Sequence, residues 1–290
     1  MKIGYLGPQT TFTHEAAMTF FPKGELIPFT TIPATMDGLQ NGDVDVAVVP
    51  IENTLEGSVN ITMDYLIHET HEPIVAELIL PIKQHLMVLP QYAEEWTSME
   101  KIYSHSHALA QCHRFLHEHL SNVPKEETTS TAAAALKVSQ ESSRNIGAIA
   151  NELAANHHGL KIVKKDIHDS KNNHTRFAIL SKESFKNHGE HQGILLKSHK
   201  TTITVTLPMD EAGTLHQVLS AFAWRKLNLS KIESRPMKTG LGHYYFIIDI
   251  EKKWDDVLIP GAIQELEAIG CGVRILGTYP SYSRTVPNNK

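Results

Sequence analysis

Cysteine is nearly absent from this sequence of 290 residues: Cys112 and Cys271 are the only two, and they lie far apart. Their separation matches neither a metal-binding pair nor a redox motif. The sequence therefore favours two small buried thiols in a reducing cytoplasm over a domain stabilised by a disulfide.

Charge of neither sign dominates, since 27 Lys and Arg oppose 32 Asp and Glu for a net charge of -5. Without a basic excess, we expect neither nucleic acid nor an anionic membrane as a partner. No apolar segment approaches the roughly 18 residues that a membrane-spanning helix needs. Met1 and Lys2 lead directly into a short apolar run, so we also expect no secretory leader and a cytoplasmic location.

Signatures of cofactors and metals are missing as well. Neither G-x-G-x-x-G nor G-x-x-x-x-G-K occurs, so the sequence indicates neither a dinucleotide nor a nucleotide phosphate. The 18 histidines include neighbouring pairs such as His105 with His107, but no pair has the helical metal-binding pattern with an intervening Glu. We expect no cofactor and no metal site.

The sequence does contain a regular alternation of short apolar runs and helical stretches up to residue 182. The runs predict strands at 3–7, 44–50, 74–80, 101–105, 145–150, 160–165 and 176–180. Amphipathic stretches between them predict helices at 12–20, 34–41, 59–69, 107–120 and 130–141. This order predicts an α/β domain over residues 1–182, with a largely parallel sheet and functional groups at the carboxyl ends of its strands.

The remaining sequence has a different pattern. Residues 183–199 mix charged residues, His and Gly without a period, and they predict a linker. Residues 200–280 follow the order βαββαβ, with Gly213 opening the first helix, a turn at 240–242, and a bend at Pro260 and Gly261 before the second helix. This order predicts a small ferredoxin-like domain, followed by a loose tail over 281–290.

Small polar side chains collect where predicted strands lead into helices. The corners that carry them are 7–13, 50–58, 103–111 and 128–135, and Thr175 with Arg176 begins a later strand. Helix N-termini offer unpaired N–H groups and a partial positive charge, which Ser, Thr and Asn side chains complement. Each corner alone is typical of a helix cap. Together they predict a cleft for an anion, not a serine-hydrolase triad or a metal centre.

The same corners carry a family resemblance. GPQTTFTHEAA, VAVVPIENTLEG, YSHSHALAQC, the Ser-Thr-Ala-Ala-Ala helix start and NHTRF occur in that order. This series resembles the catalytic domain of prephenate dehydratases, and GTLHQVL with IESRP resembles the ACT regulatory domain that follows in those enzymes. The resemblance spans residues 1–280. It implies a monofunctional enzyme with a two-lobed, periplasmic-binding-protein-like catalytic domain, an active site between the lobes, and a C-terminal ACT domain.

The implied reaction is the decarboxylating dehydration of prephenate to phenylpyruvate, water and CO2 in L-phenylalanine biosynthesis. In the family the threonine of T-R-F is the residue most closely tied to catalysis, and it corresponds to Thr175. The PIENT motif adds Asn53, and Glu52 as either a proton source or an orienting group. The matched motifs imply substrate contacts from Thr11, Thr13, Asn53, Ser104, Gln111, Ser130, Thr131, Arg176 and Phe177. The family usually has Gly where Thr10 stands, and some members carry an acid where Thr129 stands.

The second domain's resemblance implies feedback inhibition by L-phenylalanine, bound where two such domains meet across a homodimer, with a dimer of dimers as an alternative assembly. The residues implied for this site are Gly213, Thr214, Leu215, His216, Leu219, Glu233, Ser234, Arg235 and Pro236. Two other functions remain open: an arogenate dehydratase and a non-catalytic, two-lobed amino-acid sensor. No residue of the sequence decides securely between prephenate and arogenate.

Overall fold

The structure is a computed structural model that describes residues 1–183, 193–208, 213–237 and 244–284. Its strands are β1 Lys2–Leu6, β2 Glu25–Phe29, β3 Val46–Asn53, β4 Gly57–Ser58, β5 Ile74–Pro81, β6 His85–Val88, β7 Lys101–Ser104, β8 Lys125–Glu127, β9 Ile146–Ala150, β10 Lys161–Lys164, β11 His174–Leu180, β12 Ile194–Thr206, β13 Leu229–Pro236, β14 Tyr244–Ile250 and β15 Gly272–Arg284. Its α-helices are α1 Phe12–Phe20, α2 Ile32–Asn41, α3 Asn60–His68, α4 Ser106–Gln111, α5 His113–His119, α6 Thr131–Gln140, α7 Glu152–His158, α8 Thr214–Ala223 and α9 Leu258–Ala268.

The chain divides into two compact units. The first comprises Met1–Thr62 and Ile79–Phe177, and the second comprises Met63–Leu78 and Ala178–Lys290. Ion pairs within the second unit show why Met63–Leu78 belongs there: Lys200 Nζ lies 3.0 Å from Glu77 Oε1, and Arg235 Nη2 lies 2.6 Å from Asp64 Oδ1. The division therefore differs from the predicted domain over 1–182, because these contacts join residues distant in sequence.

One lobe of the first unit has a sheet with the order β11-β3-β1-β2. The strand β1 lies parallel to both β2 and β3. Residues Val46 to Val49 of β3 are at most 1% exposed, as expected for a central strand covered on both faces. The predicted strands do not include β2, which contains Pro28; β2 lies at the edge of the sheet, where the N–H that proline lacks is not needed for pairing.

The other lobe has a sheet with the order β10-β6-β9-β7-β8. In this sheet β7 is parallel to β8 and β9, whereas β6 is antiparallel to β9 and β10. The two sheets with flanking helices confirm the predicted two-lobed α/β fold class. The prediction of a largely parallel sheet is wrong for this lobe, since its short strand β6 was not recognised between its neighbours.

Two predicted helices differ in detail. The helix expected over 107–120 is interrupted at Cys112, whose backbone leaves the helical region between α4 and α5. The carboxylate of Asp169 accepts from the backbone N–H of Arg114 at 3.3 Å, which satisfies a donor at the start of α5. Pro260 and Gly261 lie inside α9, in its first turn, where proline breaks no intrahelical bond.

The second unit contains β12, α8, β13, β14, α9 and β15, which confirms the predicted βαββαβ order. Its sheet has the order β13-β14-β12-β15, and each of these neighbours pairs antiparallel. Val218 and Phe222 of α8 and Leu266 of α9 pack with the sheet in one buried cluster. Gly213 has a φ of 95° before α8, a conformation that glycine adopts without strain.

The predicted linker and tail are partly wrong. The strand β12 begins at Ile194, and it pairs with β15 as far as Arg284. Ser281 is 1% exposed, and its hydroxyl donates to Glu77 Oε1 at 2.7 Å. The polar composition of these segments predicts loops, but they form strands because pairing between β12 and β15 satisfies their backbone hydrogen bonds. Residues 184–192, the turn at 240–242 and residues 285–290 lie outside the described part of the chain.

None of the helices in the described ranges is long and apolar enough to cross a bilayer.

Candidate active site

The first unit contains a cavity of about 520 Å³. Its wall carries the hydroxyls of Thr11, Thr13, Ser58, Thr129, Ser130, Thr131 and Thr175, the amides of Asn53, Gln84 and Gln111, the imidazoles of His105 and His107, and the carboxylate of Glu56. Apolar side chains including Phe12, Ile82 and Phe177 complete it. Lysine and arginine do not line the cavity within the described ranges. The wall is therefore mainly uncharged, as the polar corners predict.

The strand β11 presents alternate side chains to the cavity. Thr175 and Phe177 line it, whereas Arg176 between them does not. Because successive strand side chains point to opposite faces, this difference follows directly from the period of two. Arg176 Nη1 instead lies 2.6 Å from Glu52 Oε2, and neither residue belongs to the wall. The same alternation on β3 separates Glu52 from the wall residue Asn53.

Asn53 holds the hydroxyl of Thr175. Its Nδ2 donates to Thr175 Oγ1 at 2.9 Å and to Asn173 Oδ1 at 2.8 Å. Its Oδ1 accepts from the backbone N–H groups of Leu55 and Glu56 at 2.9 and 3.1 Å. The Asn53 amide is therefore hydrogen-bonded within the protein on both sides, and one of its partners is the Thr175 oxygen.

Two further amides extend this chain of hydrogen bonds. Asn173 Nδ2 donates to Gln111 Oε1 at 3.1 Å, and Gln111 Nε2 donates to Glu56 Oε1 at 3.2 Å. Asn173 is 2% exposed, and Thr175 is 8% exposed. The chain thus joins the corner after β3, the end of α4 and the start of β11. We call Glu56, Gln111, Asn173, Asn53 and Thr175 the amide chain.

The start of α1 forms a second side of the cavity. Thr11 caps this helix, since its Oγ1 accepts from His14 N at 3.2 Å, and Thr13 lies in its first turn. Thr10 adopts a φ of 70°, the left-handed conformation that glycine adopts most easily. Asn151 Nδ2 donates to the Thr10 carbonyl at 3.1 Å and so helps to hold this corner. Glycine, which the resemblance implies as the usual residue at this position, adopts this backbone conformation without strain.

The start of α6 forms a third side. Ser130 Oγ accepts from Ala133 N at 3.0 Å, so Ser130 caps the helix, and Thr131 is its first residue. The N-terminus of this 10-residue helix contributes a partial positive charge. Together with α1, it gives the cavity an electrostatic preference for anions without a cationic side chain.

Two histidines and a carboxylate form a polar rim. His105 Nδ1 accepts from His107 N at 3.3 Å, which requires that nitrogen to be unprotonated. Burial, followed by the charge of His107, lowers the pKa of His105, in agreement with this hydrogen bond. His107 Nδ1 lies 3.6 Å from Glu56 Oε2. The rim therefore combines a neutral imidazole with a loosely paired carboxylate.

Eight of the predicted catalytic and substrate-binding residues lie on the wall: Thr11, Thr13, Asn53, Gln111, Ser130, Thr131, Thr175 and Phe177. Glu52, Ser104 and Arg176 do not. Ser104 is fully buried, and its hydroxyl donates to the Ile149 carbonyl at 2.7 Å. The Ser104 hydroxyl therefore has a structural partner on the neighbouring strand, and its substrate contact stays a prediction.

Sequence reasoning missed several residues at the site. Asn173 lies directly before the first residue of β11 and does not line the cavity, so the strand period does not mark it, and only its contacts with Asn53 and Gln111 connect it to the site. Gln84 is 3% exposed, lines the cavity, and has a side-chain carbonyl oxygen without a hydrogen-bond partner among the described residues. No sequence pattern marked Gln84, since it lies in a short loop before the unrecognised strand β6.

The residues predicted to bind L-phenylalanine lie in the second unit. Gly213, Leu215 and His216 are exposed at the start of α8, with Thr214 and Leu219 partly buried. On β13, Ser234 and Pro236 are exposed, and Glu233 and Arg235 are partly buried. Lys231 Nζ lies 3.1 Å from Glu233 Oε2. The start of α8 and the end of β13 are thus accessible parts of one unit.

Comparison with known proteins agrees with the motif series. The family model of prephenate dehydratase matches residues 3–185. A prephenate dehydratase from Bacillus subtilis (strain 168) is 59% identical over 287 residues, which cover 97% of this chain and 99% of the relative.

Solved structures give the same family. The crystal structure of a prephenate dehydratase from Arthrobacter aurescens in complex with L-Phe has a TM-score of 0.82 and 35% identity, and the match covers 96% of this chain and 90% of that one. The prephenate dehydratase of Staphylococcus aureus subsp. aureus Mu50 has a TM-score of 0.81 and 26% identity, covering 96% and 100%. Since the family model spans most of the chain and the Bacillus relative nearly all of it, this chain belongs to the prephenate dehydratase family.

Proposed function

We propose that the protein converts prephenate to phenylpyruvate, water and CO2. The observation that carries this assignment is the arrangement of Thr175 on the cavity wall, where its oxygen accepts a hydrogen bond from Asn53 Nδ2 at 2.9 Å. An oxygen that accepts this bond keeps its own O–H hydrogen for another partner. A fixed hydroxyl donor in a mainly uncharged cavity suits the departure of a hydroxyl group from a bound anion.

The chemistry requires a proton at one oxygen only. The bond between the ring and its carboxylate breaks, the electron pair enters the ring, and the ring hydroxyl leaves from the opposite carbon as the ring becomes aromatic. Hydroxide is a poor leaving group, so the departing oxygen needs a hydrogen bond as its bond to the ring breaks, and it becomes water by taking one proton from solvent. We assign Thr175 to donate a hydrogen bond to this leaving oxygen. A positioned donor contributes on the order of 10²–10⁴-fold to such a step.

Substrate carboxylates are held by neutral groups in this proposal. The hydroxyls of Thr11 and Thr13 at α1, and of Ser130 and Thr131 at α6, surround two helix N-termini on the wall. Hydrogen bonds from such groups stabilise an anion without the strong, fixed ion pair that would hold the departing carboxylate in place. Donors that are already in place before the reaction also favour the transition state, in which charge spreads into the ring.

Glu52 has no direct contact with substrate in this proposal. Its carboxylate is engaged by Arg176 at 2.6 Å, and both side chains lie away from the wall. We assign the pair to hold β3 against β11, which places Asn53 beside Thr175. This assignment takes the orienting role for Glu52 over the role of proton source, and it makes Arg176 structural.

The direct test uses the purified protein with prephenate and, separately, with arogenate. We expect formation of phenylpyruvate from prephenate at a rate at least 10 times that of phenylalanine from arogenate. Glu56 places a carboxylate on the wall that an amino group would favour, so the arogenate arm is a real alternative. Faster conversion of arogenate than of prephenate would identify arogenate as the substrate. Conversion of neither would overturn the proposed activity.

The second unit is the proposed ACT domain, a receptor for L-phenylalanine in a cytoplasmic homodimer. The relative from Arthrobacter aurescens, crystallised with L-Phe, supports this effector. Exposed apolar side chains on the sheet, Ile232 at 45% and Ile275 at 45%, support self-association.

Two measurements check these assignments. In equilibrium dialysis, L-phenylalanine should bind saturably and D-phenylalanine should not, and the bound effector should inhibit turnover. Sedimentation equilibrium should give a dimer or a multiple of it. Absence of saturable binding would show that L-phenylalanine is not the effector. A monomer at micromolar concentration would contradict a binding site shared between two subunits.

A further inference from the structure

We propose that Asn173 is a positioning residue that fixes the direction of the Thr175 hydroxyl, through the order of donors and acceptors along the amide chain. The inference rests on the proposed function and adds a residue to it. Asn173 does not line the cavity and is 2% exposed, so it acts through its neighbours and has no contact with substrate.

One end of the amide chain is fixed by backbone donors. Asn53 Oδ1 accepts from the N–H groups of Leu55 and Glu56, and a backbone N–H cannot accept. The Asn53 amide therefore cannot turn over without facing donors with its own NH2 group. Its Nδ2 must point toward the acceptors on the other side, which are Thr175 Oγ1, Asn173 Oδ1 and the His174 carbonyl.

The other end is fixed by an acceptor. Glu56 Oε1 accepts from Gln111 Nε2 at 3.2 Å, and an ionised carboxylate offers acceptors only. Gln111 must therefore direct its Oε1 away from Glu56, toward Asn173 Nδ2 at 3.1 Å. Backbone donors at one end and a carboxylate at the other impose the same direction on every amide between them.

Asn173 is the residue that connects the two ends of the amide chain. It accepts from Asn53 and donates to Gln111, so a replacement must both accept and donate to preserve the chain. Because it is buried, water does not substitute readily for either partner. If the link fails, Asn53 Nδ2 keeps the His174 carbonyl at 3.2 Å but loses its shortest bond, at 2.8 Å, so the amide that holds the Thr175 hydroxyl is less tightly constrained.

The substitution Asn173→Asp keeps the shape and removes the donor. At pH 8 its carboxylate faces Gln111 Oε1, and two acceptors repel. We expect kcat for prephenate to fall about 10- to 100-fold, with KM changed less than about threefold, in line with the loss of one or two hydrogen bonds at roughly 1.4 kcal/mol per factor of ten. A protonated aspartic acid donates and accepts as asparagine does. The kcat of this variant should therefore recover as the pH falls from 8 to 5.5, relative to the wild type at each pH.

Asn172→Asp is the matched control, since Asn172 is the exposed neighbour in sequence and the change in charge is identical. It should leave kcat and its pH dependence unchanged. If Asn173→Asp does not fold, Asn173→Ser should carry the test: its short side chain does not span both partners, so kcat should fall by the same order. Wild-type kcat in a folded variant at pH 8, or a loss that the control shares, would overturn the role of Asn173. A wild-type protein without activity on prephenate would instead overturn the proposed function.

Discussion

Thr175 and Arg176 are adjacent in sequence yet have separate roles because of one strand period. Thr175 lines the cavity, while Arg176 pairs with Glu52 at 2.6 Å away from the wall. The sequence motif alone predicts a substrate contact for both residues. In the proposed function, Thr175 therefore acts on the substrate, and Arg176 holds β3 and β11 together.

The pair gives a direct expectation for Glu52→Gln. Because the carboxylate does not reach the cavity, kcat for prephenate should stay within about threefold of the wild type. Stability should fall by about 1 kcal/mol, since Arg176 keeps a hydrogen-bond acceptor but loses the opposite charge. Steady-state kinetics and urea unfolding measure the two effects. A 100-fold loss of kcat in a stable variant would show that Glu52 takes part in catalysis.

Helix starts are the elements that give the cavity its preference for anions. The N-termini of α1 and α6 both reach the wall, each with a Ser or Thr cap. A cap satisfies a backbone donor that the helix leaves free, and the remaining N–H groups are available to a ligand. The same side chain therefore contributes to stability and to the site.

Ser130→Ala should separate these contributions. Loss of the bond from Ala133 N lowers the free energy of unfolding by about 1 kcal/mol, and loss of the wall hydroxyl should raise KM for prephenate severalfold. Thr31→Ala is the matched control, because Thr31 caps α2 through Ala34 N and does not line the cavity. It should lower stability equally and leave KM unchanged. Equal changes of KM in both variants would exclude the wall role of Ser130.

The sequence predicts the elements that have a strong local pattern, but not those whose formation depends on pairing with a neighbouring strand. The helix α1 was predicted with its observed limits, because Thr11 caps a clear amphipathic stretch. The strand β8, with the sequence Lys-Glu-Glu, carries no hydrophobic signal, and it forms because its backbone pairs with β7 at the sheet edge. At the site, motif matching found Asn53 and Gln111 but not Asn173, whose role depends on distances between three separate segments.

At the scale of the whole molecule, histidines that are partly or fully buried tie stability to pH. Burial, first among the causes, lowers the pKa of His14, His85, His105 and His158. The unfolded chain therefore binds protons at a higher pH than the folded chain does. Their contribution to stability is complete above the unfolded pKa of about 6.5 and is lost as the pH falls through the lower folded values.

We therefore expect the free energy of unfolding to decrease between pH 7.5 and 5.5, measured by urea unfolding at constant salt. This window lies above the range in which carboxylates with a lowered pKa, such as Glu72, begin to contribute. His85→Gln is the informative variant, since a glutamine carbonyl oxygen can accept from Asp166 N without titrating. It should show a smaller decrease. Stability that is constant over the window in the wild type would contradict this account.

The most direct test of the central claim is kcat for prephenate in Thr175→Val, which keeps the shape of the side chain and removes the hydroxyl. Thr175→Ser, which keeps the hydroxyl, is the matched control. We expect the valine variant to lose on the order of 10²–10⁴-fold in kcat while remaining folded, and the serine variant to stay within about tenfold of the wild type. A folded valine variant with more than a tenth of the wild-type kcat would show that the leaving oxygen receives its hydrogen bond from another group.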